Sequence, residues 1–274
     1  MVPVVEAKGV KIPAIGLGTM TLKNDVCVDA VSAALKMGYR HIDTAAFYAN
    51  EAEVGEGIRR SGVPRDEIFL TTKVRHGDLG KEVFEAAVEA SLKRLGLPYV
   101  DLLLIHWPSP DIPPSTYIPS LCKAKRNGLA RNIGVANFTV ALLEEAERLA
   151  DEPIINNQIE VHPFLDQRTI LADCKRRGIS VTAYCPLGRG RIPGNAVLER
   201  IARVHSKTEA QIALRWLVQQ GQIAIPRTAT PEKLKLNIDI FDFALSDAEM
   251  AEIAILAQAN ARIVNPPQAP QWDT

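Results

Sequence analysis

An excess of charge of one sign is absent from this chain. Its 274 residues carry 32 Lys and Arg against 32 Asp and Glu, a formal net charge of zero. Proteins that bind long polyanions usually carry a basic excess, so a nucleic-acid partner is not expected. A small anion held by a local basic cluster remains open. Cysteine is scarce too. Cys27, Cys122, Cys174 and Cys185 form no C-x-x-C pair, which removes zinc-ribbon and thioredoxin motifs. Free, mostly buried thiols in a reducing cytoplasm are the expectation. No apolar run is long enough to span a bilayer. The start, Met1-Val2-Pro3-Val4-Val5-Glu6, lacks the charged and apolar segments of a signal peptide. A cytoplasmic protein with no membrane partner is therefore expected. With 47% hydrophobic and 23% charged residues, disorder and fibrous arrays are unsuitable readings.

Short apolar runs rich in Val and Ile alternate with amphipathic stretches. Eight runs read as strands: Ala14–Thr19, His41–Thr44, Ile68–Val74, Val100–His106, Asn132–Asn137, Ile154–Glu160, Ser180–Tyr184 and Ile223–Pro226. Most are apolar on consecutive residues, as in Leu102-Leu103-Leu104-Ile105, which suits parallel strands buried on both faces. Between them, Val26, Ala30, Ala34 and Met37 recur at helical spacing. So do Val83, Ala87, Ser91, Leu92 and Leu95, and later Ile212, Trp216 and Leu217 before Gly221. Gly38, Gly96, Gly128 and Gly178 each end a stretch shortly before a strand, where a left-handed helix stop is wanted. This repetition, with no Pro/Ser linker dividing it, predicts an α/β fold: one (β/α)8 TIM barrel domain over residues 1–274. An open doubly wound sheet is the alternative. Two additions are expected, a hairpin over Val4–Pro13 that plugs the barrel floor and an extra helix over Asn195–His205. The tail from Asn265, with Pro266, Pro267 and Pro270, is expected to lie as an extended strap.

In a barrel the active site lies at the carboxyl ends of the strands. Asp43, Lys73 and His106 each sit at or near the top of the second, third and fourth strands, with Tyr48 on the loop just above. A free phenol titrates near about 10, too high for an efficient acid at neutral pH. A nearby ammonium lowers that value, a buried carboxylate holds the lysine, and a histidine can donate to a substrate oxygen. The set suits protonation of a carbonyl oxygen while hydride reaches its carbon. Each residue alone could be structural; four on adjacent strand ends favour chemistry.

The motifs extend further. Gly16-Leu17-Gly18-Thr19-Met20, the run from Asp43 to Asn50, Lys73 and Ile105-His106-Trp107-Pro108 are followed by Ile133-Gly134-Val135-Ala136-Asn137-Phe138. Then come Asn157-Gln158-Ile159-Glu160-Val161-His162-Pro163, Tyr184-Cys185-Pro186-Leu187-Gly188 and Ile225-Pro226-Arg227-Thr228. In this order, over nearly the whole chain, they resemble the aldo-keto reductase family. The compact loops and the tail from Arg262 to Asp273 are similar to its bacterial 2,5-diketo-D-gluconate reductase group, of the methylglyoxal-reducing B type. The resemblance implies NADPH-dependent reduction of small carbonyl substrates by a monomer. It implies Tyr48 as general acid, Lys73 tuning it, Asp43 supporting Lys73, and His106 orienting the carbonyl.

No dinucleotide fingerprint is present, because Gly16-x-Gly18 lacks a third glycine. The last strands are expected to hold phosphate instead. Thr230-Pro231-Glu232 reads as a helix start beside the basic Arg227. The resemblance implies Arg227, Thr228 and Lys233 at the 2′-phosphate and Asn237 at the adenine. It places Asn137 and Gln158 at the carboxamide, Tyr184 stacked on the nicotinamide, and Leu187, Gly188 and Arg189 toward the pyrophosphate. Gly18, Thr19, Met20 and Asp43 are also expected beside the cofactor. Ala136 and Leu236 replace a Ser and a Glu common in the family, removing one hydrogen bond each. Phe47, Trp107 and Trp272, with His106, are the candidate substrate wall. His162 and His41 read as structural, and no metal is expected. A non-catalytic NADPH-binding sensor on the same fold and a metal-dependent barrel hydrolase are the competing functions.

Overall fold

A computed structural model describes residues 2–273. Strands β1 (Val4–Ala7) and β2 (Val10–Pro13) pair antiparallel. Their turn has positive φ at both Lys8 and Gly9, the backbone that closes a tight two-residue hairpin. Ala7 and Ile12 pack in one buried cluster with Leu102, Ile155 and Ile223 of the barrel strands, so the hairpin plugs the barrel as expected.

The barrel strands are β3 (Leu17–Gly18), β4 (His41–Asp43), β5 (Phe69–Val74), β6 (Val100–Ile105), β7 (Ala130–Ala136), β8 (Ile154–Glu160), β9 (Ser180–Tyr184) and β10 (Ile223–Ala224). They neighbour one another in sequence order and every pairing is parallel. The outer strands meet across a seam. Ile15 bridges Ala224, Gly16 N donates to Ala224 O at 2.9 Å, and Gly18 N donates to Pro226 O at 3.1 Å. The open-sheet alternative is thereby excluded. The regular ladders of β3 and β10 are shorter than Ala14–Thr19 and Ile223–Pro226 because much of their bonding is spent on these seam contacts, and Pro226 has no N–H to donate. Gly18 is required there, since a Cβ would stand 2.8 Å from Ile225 O.

The helices are α1 (Asn24–Lys36), α2 (Glu51–Ser61), α3 (Lys81–Leu95), α4 (Pro114–Arg126), α5 (Val140–Leu149), α6 (Arg168–Arg177), α7 (Ala196–His205), α8 (Glu209–Gln219), α9 (Pro231–Ile238) and α10 (Asp247–Ala254). Their apolar faces and the outer faces of the strands form one buried cluster. The extra helix forms as α7, with Asn195 as its cap, accepting from Val197 N and Leu198 N. Thr230 stands at the start of α9 as expected, but its side chain makes no capping bond. All four cysteines are free, and three are buried. Among the described residues no helix is long and apolar enough to cross a membrane.

Candidate active site

Parallel strands put the ends of β4, β5 and β6 on one face. Asp43 is the last residue of β4, Lys73 the penultimate residue of β5, and His106 follows β6. Tyr48 ends a short 3-10 turn, Ala46–Tyr48, which Ala49 closes in a left-handed conformation. Buried Asn50 fixes this turn by donating to Thr19 O (2.8 Å) and Leu22 O (3.0 Å) and accepting from Thr44 Oγ1 (2.9 Å). The Lys23 ammonium holds it from outside through Tyr48 O and Ala49 O.

The four expected residues come together. Lys73 Nζ donates to Asp43 Oδ1 at 2.5 Å, to Thr44 O at 2.8 Å and to Tyr48 Oη at 3.4 Å. The Tyr48 and His106 rings meet edge to face at 5.6 Å. Burial, with the neighbouring Lys73 ammonium adding to it, pushes His106 well below its ordinary value, so it is a neutral imidazole at neutral pH. Burial also opposes the Lys73 charge, while Asp43 supports it. One expectation needs correcting. Lys73 does not bring the phenol down on balance: burial, with Asp43 and Cys185 adding to it, pushes Tyr48 well above its ordinary value. Tyr48 therefore holds its proton.

The expected nicotinamide residues join the same network. Gln158 Nε2 donates to Asp43 Oδ2 at 2.7 Å. Tyr184 Oη donates to Asn137 Oδ1 at 2.8 Å, and Asn137 Nδ2 donates to His106 O at 2.9 Å. Asn137 can do this because it follows β7 with a positive φ of 64°. Thr19 donates to Asp43 O through both its N–H and its Oγ1, each at 3.0 Å. Met20, next along, is exposed.

The expected phosphate residues form a separate group on the last strands. Leu187, Gly188 and Arg189 follow β9, and Gly188 and Arg189 both have positive φ. Arg227 is exposed after β10, Thr228 is buried and accepts from Thr230 N at 3.1 Å, and α9 carries exposed Lys233 and buried Asn237. Arg189, Arg227 and Lys233 make no ion pair among the described residues.

The tail folds back over this face. Trp272 meets Trp107 edge to face at 6.1 Å, and exposed Phe47 meets His106 at 6.1 Å. The latch is a residue given no role of its own in the sequence analysis. Glu160, fully buried at the end of β8, accepts from Ile263 N (2.7 Å), Val264 N (2.8 Å) and His162 Nε2 (3.0 Å). Asp273 then accepts from Val140 N at 3.1 Å, at the start of α5. The Arg262 guanidinium carbon lies over the Trp272 ring, 3.6 Å from its centre. His41, read as structural, is buried against Thr71 at 3.2 Å, and burial lowers it to about 4.

The fold has counterparts among known proteins. Residues 14–258 match the model of the aldo/keto reductase family. Methylglyoxal reductase DkgB of Escherichia coli O157:H7 is 42% identical over 266 residues, covering 96% of this chain and 99% of its own. The crystal structure of a candidate 2,5-diketo-D-gluconic acid reductase B superposes with a TM-score of 0.98 at 46% identity, covering 100% of this chain and 98% of that one. That of a Bombyx mori aldo-keto reductase in complex with NADP gives 0.91 at 35% identity, covering 97% and 95%.

Proposed function

The chain belongs to the aldo/keto reductase family, and on that premise we propose that it reduces small aldehydes, α-dicarbonyls or keto sugar acids to alcohols with NADPH, Tyr48 acting as general acid. The observation that carries this reading is the Lys73 ammonium, buried between Asp43 Oδ1 at 2.5 Å and Tyr48 Oη at 3.4 Å.

The residues suit the cofactor. Arg227 and Lys233 are cations without carboxylate partners among the described residues, which suits a 2′-phosphate, and Arg189 is proposed as a third toward the pyrophosphate. Thr228 and Asn237 offer buried polar groups at the same end, and the amides of Asn137 and Gln158 stand at the catalytic end. Bound NADPH supplies hydride from its nicotinamide ring. His106, neutral, keeps one ring N–H to donate to the carbonyl oxygen and so fixes which face meets the hydride donor. Tyr48 gives its proton to that oxygen as the carbon gains hydride, leaving an alcohol and a tyrosinate. Lys73 then stabilises the tyrosinate, and solvent returns the proton. Asp43, held by Gln158 and by Thr19 through its backbone, keeps Lys73 in line.

Turnover of methylglyoxal and 2,5-diketo-D-gluconate with each nicotinamide cofactor tests the reading. Tyr48→Phe is expected to lower kcat by about 10²–10⁴-fold while NADPH still binds. Unchanged turnover would remove Tyr48 from the mechanism. Tight NADPH binding by the wild type, with no turnover of any carbonyl, would replace reductase by sensor.

A further inference from the structure

Glu51 is a carboxylate buried behind the proposed proton donor. It is 1% exposed and is the first residue of α2, shortly after Tyr48. Its Oε1 accepts from Thr72 Oγ1 at 2.5 Å. Its Oε2 accepts from Arg94 of α3, through Nε at 2.9 Å and Nη2 at 2.6 Å. Arg94 is the open end of this chain of contacts, with its side chain 44% exposed. A carboxylate is kept this deep only where it is paired and hydrogen-bonded, and both conditions are met.

The place of Glu51 matters as much as its partners. Successive residues of a strand point to opposite faces. Lys73 reaches Asp43 and Tyr48 on one face of β5, so Thr72, the residue before it, points to the other, and Glu51 meets it there. One hydrogen bond thus ties the segment that carries Tyr48 to the strand that carries Lys73. Asn50, the neighbour of Glu51, fixes the same segment to Thr19 O and Leu22 O. The charge of Glu51 also crosses the strand. Burial works against the Lys73 ammonium, Asp43 in contact with it gives the main support, and Glu51 adds to that from behind. The other titratable groups that face Tyr48 and Lys73 are His106, Tyr184 and Cys185. Those that face Glu51 are Arg94 and, further off, Arg75, which pairs with Asp78 at 2.8 Å.

We infer that Glu51 is a positioning residue for proton transfer: compensated by Arg94, it ties the Tyr48 segment to the Lys73 strand and sets, from behind that strand, the charge that the Tyr48–Lys73 pair experiences. The inference rests on the reductase reading and adds a residue to it. Glu51 and Arg94 then act on the pair with opposite signs. The pair is more positive with its proton than without it. A negative charge nearby holds that proton, and a positive charge nearby loosens it.

The test follows the reduction of methylglyoxal against pH at saturating NADPH. The protein is made with difluorinated tyrosines, whose more acidic phenols bring the titration into the range in which the fold is stable. Reduction needs the proton on Tyr48, so kcat falls as pH rises through the apparent value of the pair. Glu51→Gln keeps a side chain that can bond both Thr72 and Arg94 but removes the charge. It is expected to move the fall in kcat about 0.5–1 pH unit lower, the size of one charge acting through partly screened protein. Arg94→Met is expected to move it higher by a similar amount, and the double variant to return it near the wild type. KM for the carbonyl should change little in all three. A merely structural role lowers kcat at every pH and gives no opposite shifts. Shifts in the same direction, or none, would overturn the inference. If Glu51→Gln does not fold, Arg94→Met decides alone, because loosening the site admits water and moves a buried phenol down, not up. A wild type that reduces no carbonyl refutes the reductase reading. Fluorine NMR titration of Tyr48, assigned against Tyr48→Phe, then still reports the two opposite shifts, and their absence refutes this inference as well.

Discussion

Asp43 and Lys73 are each 1% exposed, and their charged atoms are partnered by one another, by Gln158 and by Thr44 O. Arg227 and Lys233, at the far end of the same face, are exposed and pair with no carboxylate among the described residues. The end proposed for catalysis is finished by the protein's own hydrogen bonds. The end proposed for the phosphate keeps its cations open to solvent. The difference follows from what each end must do. A proton donor works when the groups around it need not reorganise during the reaction, which requires a dry and satisfied network. A phosphate-binding end works when its cations are free to attract an anion from solution, which requires exposure and no competing carboxylate.

The contrast is tested hardest by removing the cation from the finished end. Lys73→Ala strands Asp43, a buried carboxylate, without its counter-charge. A loss of about 3–5 kcal/mol in stability is expected, as for breaking a buried pair by deleting one partner. Replacing Asp43 as well, in an Asp43→Asn, Lys73→Met double variant, is expected to recover much of it. Chemical denaturation of the cofactor-free protein measures both. A loss under about 1 kcal/mol, the range of exposed pairs, would mean that the two ends are not built differently.

The catalytic end was also the more legible in the sequence, for a local reason. Asp43, Lys73 and His106 end consecutive strands, so strand order alone brings them together once a parallel barrel is read from runs such as Leu102–Ile105. Tyr48 is only five residues beyond Asp43, and its turn is fixed by Asn50 from the same run. What stayed hidden depends on distant or summed effects. Glu160 and the tail amides that it holds are about a hundred residues apart, and no periodicity links them. Arg262 reads as one arginine in a proline-rich tail until Trp272 is seen beneath it. The direction of the Tyr48 shift was misread because a nearby ammonium is visible in sequence, whereas the burial that outweighs it is not. The short ladders of β3 and β10 escaped for a related reason, since seam bridges replace regular pairing there.

Removing a cation from the open end should cost stability almost nothing and cost binding more. Arg227→Ala and Lys233→Ala are each expected to raise the Kd for NADPH about tenfold, roughly 1.4 kcal/mol. That is near the lower bound for a hydrogen-bonded charge, because both side chains are exposed. NADH, without the 2′-phosphate, should lose far less. Calorimetric titration of both nucleotides measures the difference, which should shrink as added salt screens the exposed charges. Equal losses for NADPH and NADH would show that these cations do not face the phosphate.

The smallest expected effect concerns a helix start. Thr208 and Ser246 cap α8 and α10, each accepting from a backbone N–H at 3.3 Å within a complete capping box. Thr230 occupies the same position on α9 and caps nothing with its side chain. Pro231 brings no N–H of its own, and Thr230 O is the group that Leu234 N finds, at 3.0 Å. Replacing Thr208 or Ser246 by Ala should therefore cost about 1 kcal/mol, the usual worth of such a cap. Thr230→Ala should cost a few tenths of that, because no side-chain bond is lost. The thermal stabilisation given by saturating NADPH should be the same in Thr230→Ala as in the wild type, since the hydroxyl is not what α9 presents to a ligand. A cost for Thr230→Ala equal to that for Ser246→Ala would place a cap where none is seen, and α9 would then belong with the finished elements of the fold rather than with the open end.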